Sequence, residues 1–233
     1  MAAKMAHSPF CHADDRIQLA SMAEEQRQRR LARQAPGQAK GKTDSIVGGE
    51  RLEMSTLSDM FMPYQLEFLR SKRRRKIWLA ARQIGKSWAI AALLTERALE
   101  KKNGLSLCIS TGARAASEIV KKCGMFAEAV KKLSNGTIDY TIGYDHVNFT
   151  NGSRVMSLPS TTDGANLRGY TAQCVCIDEA AYVPHLDDIM QAIAPTLTRD
   201  KTAELVMTST PAGKNGYFYD RWIAAKDDPS WYT

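Results

Sequence analysis

The chain has 233 residues, 44% of them hydrophobic, with 32 Lys and Arg against 25 Asp and Glu for a formal net charge of +7. That length and apolar content suit a soluble globular core, as one large domain or one domain with appendages, and the basic surplus favours a polyanionic partner such as nucleic acid without establishing one. No apolar run approaches the roughly 18 residues that span a bilayer, and the start "MAAKMAHSPFCHADDR" lacks the apolar centre of a signal peptide, so no membrane role and a cytoplasmic location are expected.

Residues 1–53 read as a charged, partly helical or disordered tail and linker. "DDRIQLASMAEEQRQRRLARQ" carries only a thin apolar stripe (Ile17, Leu19, Met22, Leu31), and "APGQAKGKTD" has linker composition. A solvated tail is the simpler expectation and a docking helix the sharper one. Met54 and Met60 also leave room for a later start. Cys11-His12 has no second half at zinc-ligand spacing and is set aside as a metal site.

From residue 54 the pattern is α/β. "IWLA" (77–80) predicts a short strand, 87–102 a helix through Trp88, Ala91, Ala92, Leu94 and Ala98, "LSLCIS" (105–110) a strand, and 113–133 a helix. Short β pieces come next, turning at Ile142-Gly143 and Asn151-Gly152. "CVCID" (174–178) and "ELVMTST" (204–210) are continuous apolar runs, as in strands covered on both faces. Cys174 and Cys176 alternate on the first of them and read as reduced core thiols. Strands alternating with helices predict a mostly parallel sheet flanked by helices, with its ligand site at the carboxyl ends of the strands.

Four stretches carry chemistry. "ARQIGKS" lies between a strand and a helix, as a phosphate-binding loop requires, although Ala80 stands where G-x-x-x-x-G-K-[ST] has its first glycine. Gly85 lets the backbone approach phosphates, Lys86 reaches the β and γ oxygens, and Ser87 ligates magnesium. The missing glycine implies a first turn without positive φ, and Arg82 and Gln83 add side-chain contacts. "CVCIDEAAYV" ends a buried strand in two carboxylates, Asp178 suited to an outer-sphere hold on magnesium and Glu179 to activating water. Thr208, Ser209 and Thr210 close another apolar strand, where hydroxyls hydrogen-bond either the nucleophilic water or a neighbouring carboxylate. In "PYQLEFLRSKRRRK", the amide of Gln65 matches the donor and acceptor of adenine and Tyr64 can stack on the base, while the basic run 70–76 reads chiefly as a solvated collar.

In this order, these pieces resemble the ATPase domain of the large terminase subunits that package tailed-phage DNA, closest to the Mu-like branch. There the phosphate loop commonly reads Arg-Gln-x-Gly-Lys-[Ser/Thr], as in Arg82-Gln83-Ile84-Gly85-Lys86-Ser87. The resemblance implies a P-loop NTPase fold of RecA/ASCE kind, with ATP and Mg2+ as cofactors. It makes Gln65 the adenine contact, Asp178 and Glu179 the Walker B aspartate and catalytic glutamate, and Thr208, Ser209 and Thr210 the coupling motif. It also implies that Arg82 stabilises charge on the leaving phosphate. Arg168 in "NLRGYTA" and Arg114 in "STGARAASE" are further sensor or DNA candidates. The implied partners are double-stranded DNA, a small terminase subunit and a portal or procapsid, with a homo-oligomeric ring as the active form. Full-length large subunits carry an RNase H-like nuclease domain for which this chain has no room, so no nuclease activity is expected of it. Alternatives are a helicase-like nucleic-acid ATPase and a truncated, non-catalytic prophage remnant.

Overall fold

The apolar runs of the sequence become the centre of an eight-stranded sheet. Its order is β10-β3-β9-β8-β4-β7-β6-β5, formed by β3 (Arg75–Leu79), β4 (Leu105–Ser110), β5 (Tyr140–Ile142), β6 (His146–Phe149), β7 (Arg154–Pro159), β8 (Cys174–Ile177), β9 (Glu204–Ser209) and β10 (Trp231–Tyr232). Neighbours from β10 to β7 run parallel, whereas β7-β6 and β6-β5 are antiparallel hairpins turning at the two predicted glycine sites. The computed structural model describes residues 44–47, 50–53, 57–160, 167 and 169–233. The predicted tail and linker through residue 43, Met54 and Arg168 lie outside them. Residues 44–53, expected to end the tail, contain a separate antiparallel pair, β1 (Asp44–Val47) and β2 (Glu50–Glu53).

Alternation along the strands feeds two apolar layers. Trp78, Cys108, Cys174, Cys176 and Val206 join Ile90, Leu93, Leu94 and Phe126 of α2 (Lys86–Leu99) and α3 (Ala113–Leu133) on one face. Ile77, Leu107, Ile109, Val175, Ile177 and Met207 meet Ile189 and Ile193 of α4 (Leu186–Arg199) on the other. A sheet covered on both faces explains why β8 and β9 read as unbroken apolar runs. The four described cysteines are buried and unbridged, Cys174 and Cys176 among them as the thiol reading anticipated. The spacing of Ala116, Ile119, Val120, Cys123, Phe126, Ala127 and Val130 puts one stripe of α3 inward. Helices α1 (Pro63–Arg70) and α5 (Gly216–Lys226) and the helical character of α4 were not assigned from the sequence.

Register decides where the chemistry goes. Leu79 pairs with Ser209, Ile177 with Met207, and Ile109 with Ile177, and the ladder is extended by Ala80 N–H donating to Ser209 O and Asp178 N–H to Ile109 O. The segments after β3, β8, β9 and β4 therefore leave the sheet along one edge.

The basic run is exposed at Arg70 and from Lys72 to Arg75, as a solvated collar would be, but several of its side chains also bond the fold and its last member, Lys76, is buried. Arg73 donates to Trp231 O at 2.8 Å, Arg74 to Ala203 O at 3.1 Å and Asp200 O at 3.2 Å, and Arg75 stands 5.9 Å over the Trp231 ring. Lys76 is fully buried, 3.4 Å from Glu204, which also takes Arg97 at 2.9 Å. Burial lowers the Lys76 pKa from the usual lysine value, with the Glu204 charge opposing it. Glu204→Ala leaves the buried Lys76 without its carboxylate partner, while Arg97 keeps Glu96 at 3.0 Å and Glu100 at 2.7 Å, and is expected to cost about 3–5 kcal/mol of unfolding free energy, read by urea denaturation; a loss within that of an exposed surface substitution would mean the cluster carries little.

Candidate functional site

The loop between β3 and α2 begins where Ala80 leaves the ladder. Ala80 itself does not have positive φ; the left-handed positions are Gln83 (φ 62°) and Gly85 (φ 79°). The turn that a first glycine ordinarily makes is thus not demanded at Ala80, in line with the sequence. Gly85 is favoured by its φ, and a Cβ there would also push aside the carboxamide end of Gln65. Gly85 O receives the N–H groups of Trp88 and Ala89 as α2 starts, while the N–H groups of residues 84–87 have no acceptor among the described residues. Consecutive unpaired N–H groups at a helix start form an anion receptor.

Lys86, 6% exposed, curls back so that its ammonium donates to Ala81 O at 3.0 Å and Ala80 O at 3.4 Å, and lies 3.8 Å from Glu179 Oε1. Glu179 sits in the left-handed region (φ 51°, ψ 43°) where β8 turns into a short 3-10 segment, Ala180–Tyr182. That conformation is uncommon for a non-glycine residue and costs about 1–3 kcal/mol, so the surrounding bonds must hold it. They do. Glu179 Oε2 accepts from Thr210 N at 2.9 Å, Thr210 Oγ1 at 3.1 Å and Ser209 Oγ at 3.4 Å, and Ser209 Oγ accepts from Ala181 N at 3.2 Å.

Thr208 Oγ1 donates to Asp178 Oδ1 at 2.9 Å, and the Glu179 N–H donates to the same oxygen at 3.1 Å. Burial raises the Asp178 pKa, with the Thr208 hydrogen bond pulling the other way. The hydroxyl triplet bonds the two carboxylates, one of the two kinds of partner weighed for it. The strand pairing causes this, because β9 lies between the loop strand β3 and the acidic strand β8.

A cavity of about 700 Å³ opens over this edge, lined by Arg82, Gln83, Gly85, Lys86, Ser87 and Trp88 from the loop and α2, by Glu179, Tyr182 and Thr210, and by Thr111 and Lys122. That is the size of a drug- or nucleotide-sized pocket. Orphan N–H groups, two loop cations and a hydroxyl at the helix start fit a polyphosphate. Among the described residues there is no cluster of three or more His, Cys, Asp or Glu able to cage a metal. Ser87 lines the cavity, whereas Asp178, 7% exposed behind Glu179, does not; a hydroxyl and one carboxylate are the few protein ligands that magnesium takes together with phosphates.

Tyr64 and Gln65 do not line the cavity. Tyr64 Oη donates to Ile84 O at 2.9 Å, Gln65 Nε2 donates to Ile84 O and Gly85 O, each at 3.1 Å, and Gln65 Oε1 accepts the Met62 N–H at 2.8 Å. In this structure both residues brace the loop from behind. Arg114 is exposed in the first turn of α3 and Arg168 lies outside the described residues. Sequence reasoning missed Thr111, Lys122 and Tyr182. The aromatic three places after Glu179 was a weak cue for the last, whose hydroxyl bonds Pro211 O at 2.9 Å; Lys122 gave none, being a lysine on a helix that exposes several.

The fold has relatives among solved packaging proteins. The chain is similar to the ATPase domain of the Thermus phage P74-26 large terminase (21% identity, TM-score 0.59, 72% of this chain and 77% of that one). It is also similar to the bacteriophage HK97 large terminase (18%, 0.58, 81% and 40%) and to the large terminase of a thermophilic bacteriophage in complex with ATP-gamma-S (16%, 0.58, 74% and 43%). At such identities the likeness establishes the α/β fold, and the chain spans less than half of each of the last two proteins. Over residues 77–232, more than half of its length, the sequence matches the family model described as terminase large subunit, T4likevirus-type, N-terminal, and the chain belongs to that family.

Proposed function

We propose that this chain is the ATP-hydrolysing motor domain of a viral DNA-packaging terminase large subunit, a P-loop NTPase of RecA/ASCE kind that couples ATP hydrolysis to translocation of double-stranded DNA into a procapsid. The observation carrying the reading is the meeting of Lys86 and Glu179 at 3.8 Å on the wall of one cavity, with Glu179 tied to Thr210. The loop 82–87 wraps the phosphates with its N–H groups, and Lys86 exchanges its carbonyl partners for β and γ oxygens. Arg82, which has no ion-pair partner among the described residues, neutralises charge on the leaving phosphate. Glu179, freed from Lys86 by that exchange, takes a proton from the attacking water.

Ser87 and Asp178 are the residues that would hold magnesium, which would supply charge neutralisation at the phosphate oxygens. Thr208, Ser209 and Thr210 bond both carboxylates and continue into the exposed segment 211–215, so a change at Glu179 is handed to β9 and its following loop. The adenine reading of Gln65 and Tyr64 asks them to trade bonds to Ile84 O and Gly85 O for the base. The Arg-Gln-x-Gly-Lys-Ser loop supports the Mu-like branch. By family logic the domain works in the host cytoplasm as a homo-oligomeric ring with a small subunit and a portal, where Arg114 and Arg168 are DNA or sensor candidates. No described helix is long and apolar enough to cross a membrane.

The test is phosphate release by the purified chain. Turnover is expected only with magnesium and is expected to rise with linear duplex DNA, the stimulation fading as salt goes from about 50 to 200 mM because phosphate contacts dominate such binding. Absence of any magnesium-dependent release across protein concentrations, with and without DNA, would reject the motor.

A further inference from the structure

One wall of the cavity comes from α3. Lys122 lines it, and among the described residues no acceptor or carboxylate bonds its ammonium, since Glu118, one turn earlier, pairs with Lys121 at 2.8 Å. Its place is fixed by the packing on either side. Cys123 Sγ lies 3.7 Å from Ala91 O, and the Phe126 ring lies 4.5 Å from that of Trp88. These contacts clamp α3 against the first two turns of α2, so Lys122 is held over the helix start that presents the unpaired N–H groups. Lys122 is partly buried and bonds no acceptor among the described residues, so an anion entering the site would give its ammonium a direct partner.

Topology says which part of the anion it meets. The strand order is β3-β9-β8-β4, and α3 follows β4, so Lys122 approaches from beyond the Glu179-bearing strand, across the site from β3 and from the Tyr64–Gln65 brace. Whichever way the rest of a nucleotide lies, the phosphate that is attacked must face Glu179. We propose that Lys122 is a specificity-determining residue that contacts the terminal phosphate of the bound nucleoside triphosphate, adding to the loop cations a charge that a diphosphate does not reach. This rests on the nucleotide reading above.

Calorimetric titration of the full chain with ATP-gamma-S and with ADP, both with magnesium, tests it. Lys122→Ala is expected to weaken ATP-gamma-S about tenfold, the worth of one charge-assisted hydrogen bond, and to leave ADP within about twofold. Lys122→Arg, which keeps the charge, is expected to restore most of the difference. Equal losses for the two nucleotides, or no loss for either, overturn the proposal. Should the alanine variant unfold early, Lys122→Met retains the aliphatic stem and is held to the same two outcomes. Lys86→Ala separates the two levels: it is expected to lose both nucleotides, and binding at wild-type strength there would remove the nucleotide reading itself.

Discussion

Glu179→Gln is expected to retain ATP-gamma-S affinity within a few-fold while phosphate release falls by about 10²–10⁴-fold, the usual worth of a positioned general base. The two halves of that result have different physical sources. Binding comes from the loop N–H groups and Lys86, which the substitution does not touch. Glutamine also has the volume of glutamate, and its carbonyl oxygen can accept the 2.9 Å bond from Thr210 N that holds the side chain in place. Catalysis is lost because an amide cannot take the proton of the attacking water. Removing the charge also releases Lys86, now 3.8 Å from the carboxylate, so binding of the triphosphate is expected to be unchanged or somewhat tighter. Quenched-flow single turnovers beside equilibrium binding read both. Release at the wild-type rate would take Glu179 out of the mechanism, and a proportional loss of binding would make it a structural residue.

Much of this site was legible because each of its parts terminates an apolar run. The runs at 105–110, 174–178 and 204–210 end within a residue of β4, β8 and β9, and period-two burial against two helical layers leaves little choice of strand. The residues after each run had to emerge at the edge where parallel strands deliver their carboxyl ends. Pairing partners were not legible. Nothing local says that β9 enters between β3 and β8, yet that insertion is what puts Thr208 on Asp178 and Thr210 on Glu179.

The same limit explains the basic run. Its charge density suggested solvent, and Arg73 and Arg74 are exposed; what was not legible is that they also reach carbonyls more than 100 positions away and that Lys76 is buried against Glu204. Gln65 is the instructive case. A carboxamide can match adenine or two backbone carbonyls equally well, and composition does not decide between them. Here the proximity of α1 to the loop after β3 gives Gln65 the carbonyls of Ile84 and Gly85, the bonds that an adenine contact would have to replace.

Asp178→Asn is expected to abolish magnesium-dependent turnover and at the same time to raise the melting temperature of the nucleotide-free protein by a few degrees, on the order of 2–4 °C for each kcal/mol in a domain of this size. Asp178 is 7% exposed at the end of β8, and burial raises its pKa above the ordinary carboxylate value. A group whose pKa is higher folded than unfolded binds protons more readily in the fold. Its contribution to stability is then most favourable below the unfolded pKa and is lost as pH rises through the folded one. At neutral pH the ionised carboxylate therefore burdens the fold. Asparagine removes that burden while its carbonyl still accepts from Thr208 Oγ1 and Glu179 N, both of which bond Oδ1. The stability gap between variant and wild type is expected to narrow as pH falls toward the ordinary carboxylate range, where Asp178 is neutral in both states. A destabilising carboxylate kept for a cation would be the common trade between stability and function. Magnesium with ATP-gamma-S should then raise the wild-type melting temperature more than that of the variant. A variant that is less stable at pH 7, or a gap that does not move with pH, would show that Asp178 is held as a structural acceptor and not for a cation.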